Sequence, residues 1–406
     1  MKKKKLKLKY KSVIKLIFIV LIFGIIFVSY NMIFSKNNNN SKDNIEDNEK
    51  VVEKKEEKIE KEPVVEETEL SLVMVGDCLI HGAIYLDARD AKGNYNFYKM
   101  IDKIKPVIQK YDLAFYNQES LLGGTELGLS SYPRFNAPQE VGEAFLDAGF
   151  NLVSLANNHS LDMGEKGILS SLKYWDKKEK DGIMTAGSYE SFEDRDKDVI
   201  MEKNGIKYAL LSYTTTTNGL SRPAGKEYLV NVYSEEQVKK DVERLRDKVD
   251  LLMVAMHWGV EYTHKETTEQ QEIAKYLSSL GVDIVIGHHP HVIQPVDFIG
   301  NTMVIYSLGN FIASQKGAVE KHTGLVMSVK VHKKTVDGKS TITLENPTAN
   351  LSYVYSIANG SNSRYGYEMY MYDMLNDRLL NGYKSYYKKF MDIVTSKTDK
   401  ISYKSL

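Results

Sequence analysis

Short apolar runs recur along the chain from residue 70, each closing on a polar cluster. The run 70–75 leads into Gly76-Asp77, 113–116 into Asn117-Gln118-Glu119, and 152–156 into Asn157-Asn158-His159. Further on, 208–213 leads into four threonines, 251–256 into His257-Trp258-Gly259, and 283–286 into Gly287-His288-His289-Pro290-His291. A last run, 303–307, leads into Leu308-Gly309-Asn310-Phe311. Runs this short and this apolar predict buried strands. Between them the spacing predicts helices over 98–109, 138–148, 167–175, 234–248 and 266–280. Pro138 suits a first helical turn and Gly149 a stop. Alternation of strand and helix predicts an α/β domain with a largely buried sheet, in which sites gather at the carboxyl ends of strands. The polar clusters occupy those ends.

The ends of the chain depart from this pattern. Residues 1–12 are lysine-rich, and 13–34 form an apolar stretch long enough for a bilayer, which takes roughly 20 residues. Lysines before the span and few after it put the N-terminus in the cytoplasm and the rest outside. No Ala-x-Ala-like site follows, so an uncleaved, single-pass signal anchor in the cell membrane is expected rather than a cleaved signal peptide. Residues 35–69 carry four asparagines at 37–40 and continue as a charge mixture too polar to fold, a tether. The folded domain is expected over 70–345. Residues 346–406 are expected to be a tyrosine-rich helical extension, with 369–390 as one or two amphipathic helices packed on the sheet. A tyrosine face for sugar or polymer is the alternative.

Composition narrows the classes further. Lys plus Arg and Asp plus Glu both number 54, so no global charge argues for nucleic acid. The single cysteine, Cys78, excludes an internal disulfide framework. No Gly-x-Ser-x-Gly elbow or phosphate-binding P-loop is present.

Histidine placement carries the chemistry. Of nine histidines, His81, His159, His257, His288, His289 and His291 all follow apolar runs. Imidazole is the commonest protein metal ligand. Asp77 is a candidate carboxylate ligand, with Gly76 expected to let the backbone turn sharply. Glu119 reads as a second carboxylate ligand or as an exposed acid at a loop start. Asn158 can ligate through its amide oxygen, and His159 can then reach a substrate. Asp162 orients that imidazole or caps the following helix, and both roles can hold. His257 reads as a ligand, with Trp258 and Tyr262 as pocket wall. His289 and His291, two apart on extended backbone, point to one side, while His288 points elsewhere and stabilises the loop. His264 reads as solvent-exposed, His322 and His332 as structural. Two carboxylates, one carboxamide and three imidazoles are roughly a supply for two divalent ions, with Mn, Fe or Zn favoured over Ca.

Together these motifs resemble the CapA family of bacterial capsule-synthesis proteins, associated with poly-γ-glutamate. The matching pieces are Gly76-Asp77, Asn117-Gln118-Glu119, Ala156-Asn157-Asn158-His159 with Asp162-Met163-Gly164, 257–262, 287–294 and 307–311. The second motif has Gln where Leu is more usual. The family resembles calcineurin-like metallophosphoesterases. That implies a sandwich of two sheets flanked by helices with a dinuclear metal site at the strand ends. It implies Asp77, Glu119, Asn158, His257, His289 and His291 as ligands, and His159, aided by Asp162, as acid/base. His81, Asn117, Trp258, Glu261, Gln294 and Asn310 become candidate substrate contacts. Two functions follow as expectations. One is a hydrolase acting on a phosphoester or on a linkage of an anionic surface polymer such as poly-γ-glutamate. The other is a non-catalytic, metal-containing component of a polymer assembly complex, with capsule synthase subunits as partners.

Overall fold

The computed structural model describes residues 64–360 and 363–406. The expected cytoplasmic segment 1–12, the membrane anchor 13–34 and the tether up to residue 63 lie outside the described residues. Among the described residues, no helix is long and apolar enough to cross a membrane.

In chain order the first strands are β1 (Val65–Leu79), β2 (Leu113–Gln118), β3 (Leu152–Ser154) and β4 (Met184–Ala186). Next come β5 (Met201–Lys203), β6 (Ile206–Thr214), β7 (Leu251–His257), β8 (Ile284–His288), β9 (Val296–Ile299) and β10 (Thr302–Ile305). The chain closes with β11 (Asn310–Ala313), β12 (Thr323–Val336), β13 (Lys339–Asn359), β14 (Ser363–Met371) and β15 (Ser402–Tyr403). They form two sheets. One runs β14-β13-β12-β1-β2-β3-β4, with β11 added on β1 and β15 on β13. The other runs β5-β6-β7-β8-β10-β9. The protein is thus a mixed α/β fold with two sheets.

Side-chain alternation along β1 explains the layering. Leu70, Leu72 and Met74 point inward to a core that also holds Phe115, Leu210, Met253, Ile284 and Ile286 from both sheets. Val73 and Val75 point the other way, onto Ile84, Ile101, Phe145 and Trp175. The second sheet turns Leu252, Val254 and Val285 outward onto Val238, Val242, Ile273 and Leu277. Each fully buried side chain of this size contributes about 1.5–3 kcal/mol. Ser154 Oγ and Ser212 Oγ, 2.8 Å apart, tie the sheets together near the strand ends.

The principal helices are α1 (Gly82–Ala88), α2 (Glu140–Asp147), α3 (Gly164–Glu179), α4 (Glu235–Leu245), α5 (Thr268–Ser279) and α6 (Tyr383–Val394). Local signals start them. The Ser234 hydroxyl accepts from Gln237 N at the head of α4, and Thr267 forms a reciprocal capping box with Gln270 at α5. The helix expected over 98–109 is two single turns, Tyr98–Ile101 and Lys105–Ile108. The apolar pattern of the sequence does not signal α1.

Three boundaries differ from expectation. Residues 65–69, expected in the tether, belong to β1, because they pair with β12 from Val65↔Val336 onward. No division falls at 345/346, which lies inside β13. The tyrosine-rich tail is largely strand: β13 and β14 pair antiparallel, Tyr353 opposite Tyr370, and among the described residues α-helix appears there only at α6. The alternating burial of 363–371 is a period-two pattern, which favours strand over helix there.

Candidate metal centre

β1, β2, β3 and β4 are mutually parallel, as are β6, β7, β8 and β10. Their carboxyl ends therefore lie at one edge of the sandwich. Register places Asp77 beside Asn117, and His257 beside His288. Two glycines permit this approach. A Cβ on Gly76 would sit 1.8 Å from Gly309 O, and one on Gly287 would sit 2.0 Å from Tyr306 O. Gly76 thus serves close strand contact within β1 rather than the sharp turn expected.

Asp77 is fully buried. Its Oδ1 accepts from Asn117 Nδ2 at 2.9 Å and lies 3.0 Å from His288 Nδ1. Its Oδ2 lies 3.3 Å from His291 Nδ1. Burial pushes this carboxyl up, but the hydrogen bonds and charges of His288 and His291 hold it well below the usual range. Glu119 is equally buried, with Oε1 at 3.6 Å from His291 Nε2 and 3.7 Å from His257 Nε2. Burial pushes its carboxyl well up; His291 opposes this, while Asp77, Glu261 and Asp162 add to it. His257 Nε2 also meets Asn158 Oδ1 at 2.8 Å and His289 Nδ1 at 3.2 Å.

All six expected ligands thus belong to one connected cluster. Asp77, Glu119 and His291 are the tightest part, each offering a ligand atom within 4.8 Å of the others. Among the described residues, both Glu119 oxygens, Asn117 Oδ1 and His288 Nε2 are buried without a hydrogen-bond partner. An uncompensated buried carboxylate costs on the order of several kcal/mol, and a bound cation removes that cost. The residues fit a divalent-metal site on this ground. His291 answers the same demand with a proton: burial disfavours its charge, yet Glu119 and Asp77 raise it to about 9. His257 and His289 are pushed down, His289 to about 4, first by burial and then by a neighbouring imidazole (His289 and His291, respectively). Neutral imidazole is the ligating form.

Two expectations about the histidine loop are corrected. His289 (φ 97°) and His291 (φ 56°) are left-handed, not extended. Their rings still share the site, with centroids 6.1 Å apart. His288 does not point away; it binds Asp77. Alternation fails as a guide here because two consecutive strand-like steps are absent.

His159 stands beside the cluster. Its Nδ1 lies 2.7 Å from Asp162 Oδ2, and Asn157 Oδ1 accepts from its backbone N–H. Phe135 N–H donates to the same Asp162 oxygen, and the Phe135 ring meets His159 edge-on. Asp162 therefore orients the imidazole. It is not the N-cap of α3, which is Met163.

The candidate substrate contacts divide. Asn117 touches Asp77, and Asn310 Oδ1 lies 3.0 Å from His291 Nδ1. His81 meets Phe135 edge-on at 5.1 Å between centroids. Glu261 is exposed and acts electrostatically on His289 and Glu119. Trp258 is not a pocket wall: it is fully buried under the second sheet and donates Nε1–H to Tyr306 O. Tyr262 remains at the mouth, its ring 6.0 Å from His291. Gln294 is also buried, spending its amide on Gln270, Thr263 O and Lys265 O, where it braces the loop before α5. His264 is half-buried on Ile293 O, not exposed.

A family model described as bacterial capsule synthesis protein PGA_cap matches residues 71–315. The chain is 28% identical over 269 residues to the capsule biosynthesis protein CapA of Bacillus anthracis, covering 64% of each chain. It is 32% identical over 190 residues to the PGA biosynthesis protein CapA of Bacillus subtilis, covering 44% of this chain and 47% of that one. It therefore spans less than two thirds of either relative's length. A solved structure of a hypothetical protein from Thermus thermophilus aligns at a TM-score of 0.40 and 13% identity, covering 74% of this chain and 98% of that one.

Proposed function

Since the chain belongs to the bacterial capsule synthesis protein family, we propose that it acts outside the cell in making or processing a capsule polymer of the poly-γ-glutamate kind. In this reading it is held to the membrane by residues 13–34 and works as a hydrolase with two divalent ions, Mn, Fe or Zn. Its target is a phosphoester or a γ-linkage of the polymer.

The observation that carries this reading is the orphaned carboxylate of Glu119 among Asp77, His257 and His291. Asp77, Glu119, Asn158, His257, His289 and His291 would hold the ions, with His288 added through its own unpartnered Nε2. When bound, such ions polarise the scissile group and lower the pKa of water toward neutrality. The chain supplies the rest. With Nδ1–H donating to the Asp162 carboxylate, which stabilises the doubly protonated ring, His159 would pass its Nε2 proton to the leaving oxygen or nitrogen and end as the neutral imidazole. Phe135 and Asn157 fix that ring's place. Asn117 and Asn310 hold ligand side chains in orientation.

The test uses the full chain in detergent, loaded with manganese and offered bis-p-nitrophenyl phosphate and poly-γ-glutamate. Turnover that vanishes in His159→Ala at unchanged metal content supports the hydrolase. Retained metal with no turnover on either substrate turns the assignment to a non-catalytic component of a polymer assembly complex.

A further inference from the structure

A second feature adjoins the metal cluster on the side of β14. A cavity of about 380 Å³ is lined by His81, Ser314, Gln315, Lys316, His322 and Arg364, among others, and among the described residues no Asp or Glu lines it. Its walls are shared with the metal cluster. His81 meets Phe135 edge-on, and Phe135 meets His159 in the same way. Gln315 Oε1 accepts from Asn310 Nδ2 at 2.9 Å, while Asn310 Oδ1 lies 3.0 Å from His291 Nδ1. One face of the cleft is thus built of carboxylates, and the adjoining chamber of cationic and neutral groups.

Two side chains in the chamber are arranged for a ligand. Arg364 is fixed by Ser356, with Nε–H donating to Oγ at 2.6 Å and Nη2–H to the carbonyl at 2.8 Å. A guanidinium held this way loses little entropy on binding, and its fork matches carboxylate and phosphate oxygens. His322 is buried, and its Nδ1 has no hydrogen-bond partner among the described residues. Lys321 stands next to it, with Nζ 3.6 Å over the Tyr262 ring at the mouth of the metal cluster. Burial, then Arg364, then Lys321 depress the His322 pKa to about 4, which places both cations within electrostatic reach. A solvated surface patch would leave His322 exposed and Arg364 unbraced.

We propose that this cavity is an anion subsite, in which Arg364 and His322 seat a carboxylate or phosphate of the substrate beside the bond held at the metal cluster. The inference rests on the hydrolase reading for its substrate class. For a γ-linked glutamate chain the anion is the α-carboxylate of a neighbouring unit. For a phosphorylated substrate it is a second phosphate.

Isothermal titration of the full chain in detergent tests this, with a γ-linked glutamate hexamer and inorganic phosphate as separate probes. The expected result is tenfold or greater weakening of one probe in Arg364→Gln and partial recovery in Arg364→Lys. A response confined to the hexamer identifies the carboxylate; one confined to phosphate identifies the phosphate. His322→Gln serves as the second variant should Arg364→Gln not fold. Equal affinity of wild type and variant for both probes overturns the subsite. Arg364-dependent binding without turnover keeps the subsite and removes the hydrolase, and turnover with Arg364-independent binding does the reverse.

Discussion

Asn158 and His257 are separated by 99 positions in sequence, yet Asn158 Oδ1 and His257 Nε2 stand 2.8 Å apart. They come from different sheets, Asn158 just after β3 and His257 at the end of β7. The candidate metal centre is therefore a property of the sandwich as a whole. Asn158→Ala and His257→Ala are expected to lower metal affinity without unfolding the domain. Equilibrium dialysis with manganese, read beside thermal unfolding, checks this. Losses of about 10-fold or more are expected for each, in the range that ligand and ligand-orienting changes produce.

Glu119 offers a prediction with opposite signs in the two states. Its buried oxygens lack donors. Glu119→Gln removes a buried carboxylate, so the metal-free protein should gain roughly 1–3 kcal/mol. The metal-loaded protein should lose its metal-dependent rise in Tm. Urea unfolding with and without chelator reads both. A destabilised metal-free variant would mean that the attraction between Glu119 and His291 outweighs the cost of burying the carboxylate.

The His159–Asp162 pair separates chemistry from binding. His159→Ala is expected to cut turnover by about 10²–10⁴-fold, the usual contribution of a general acid or base. Asp162→Asn leaves the ring in place but frees its tautomer, so its loss should approach the same size. Metal content, read by plasma mass spectrometry, should be unchanged in both.

Much of this cluster was legible in the sequence because each candidate ligand follows an apolar run that had to be a buried strand. Asp77, Glu119, Asn158 and His257 stand at or just after the strand ends where that logic put them. It failed where backbone geometry broke its premise. Left-handed φ at His289 and His291 turned His288 into a neighbour of Asp77, which period-two alternation cannot anticipate. Trp258 looked like a pocket wall from its place after His257, but one residue further in a strand direction reverses the side chain, which went under the sheet. The tyrosines of β13 and β14 concealed a hairpin, since tyrosine suits helix faces and strands alike. His322 gave no signal at all: it gains its role only when β14 brings Arg364 beside it.

Gly76 sets a steric limit on the fold. A Cβ there would overlap Gly309 O, a backbone atom that cannot rotate away. Gly76→Ala is expected to cost about 3 kcal/mol, at the upper end of overpacking costs, and to lower the Tm or the soluble yield. An unchanged Tm would show that β1 and the 308–310 segment can separate.

His322 supplies a pH dependence away from the ligands. Burial, with Arg364 and Lys321, depresses its pKa to about 4, below the unfolded value of about 6.5. The unfolded chain therefore binds a proton first. The resulting stability is complete above about pH 6.5 and is lost as pH falls from there to about 4, a loss of about 3 kcal/mol at most. His322→Gln should flatten that part of the wild-type stability profile in urea unfolding between about pH 7.5 and 4.5. An identical slope in the variant would contradict the burial of His322.

The most direct test is metal stoichiometry. Purified full chain, analysed by plasma mass spectrometry after dialysis against manganese and gel filtration, should carry about two divalent ions per chain. The double variant Asp77→Asn, Glu119→Gln should carry almost none while remaining folded. Absence of bound metal in the wild type, or equal metal in the folded double variant, would contradict the account.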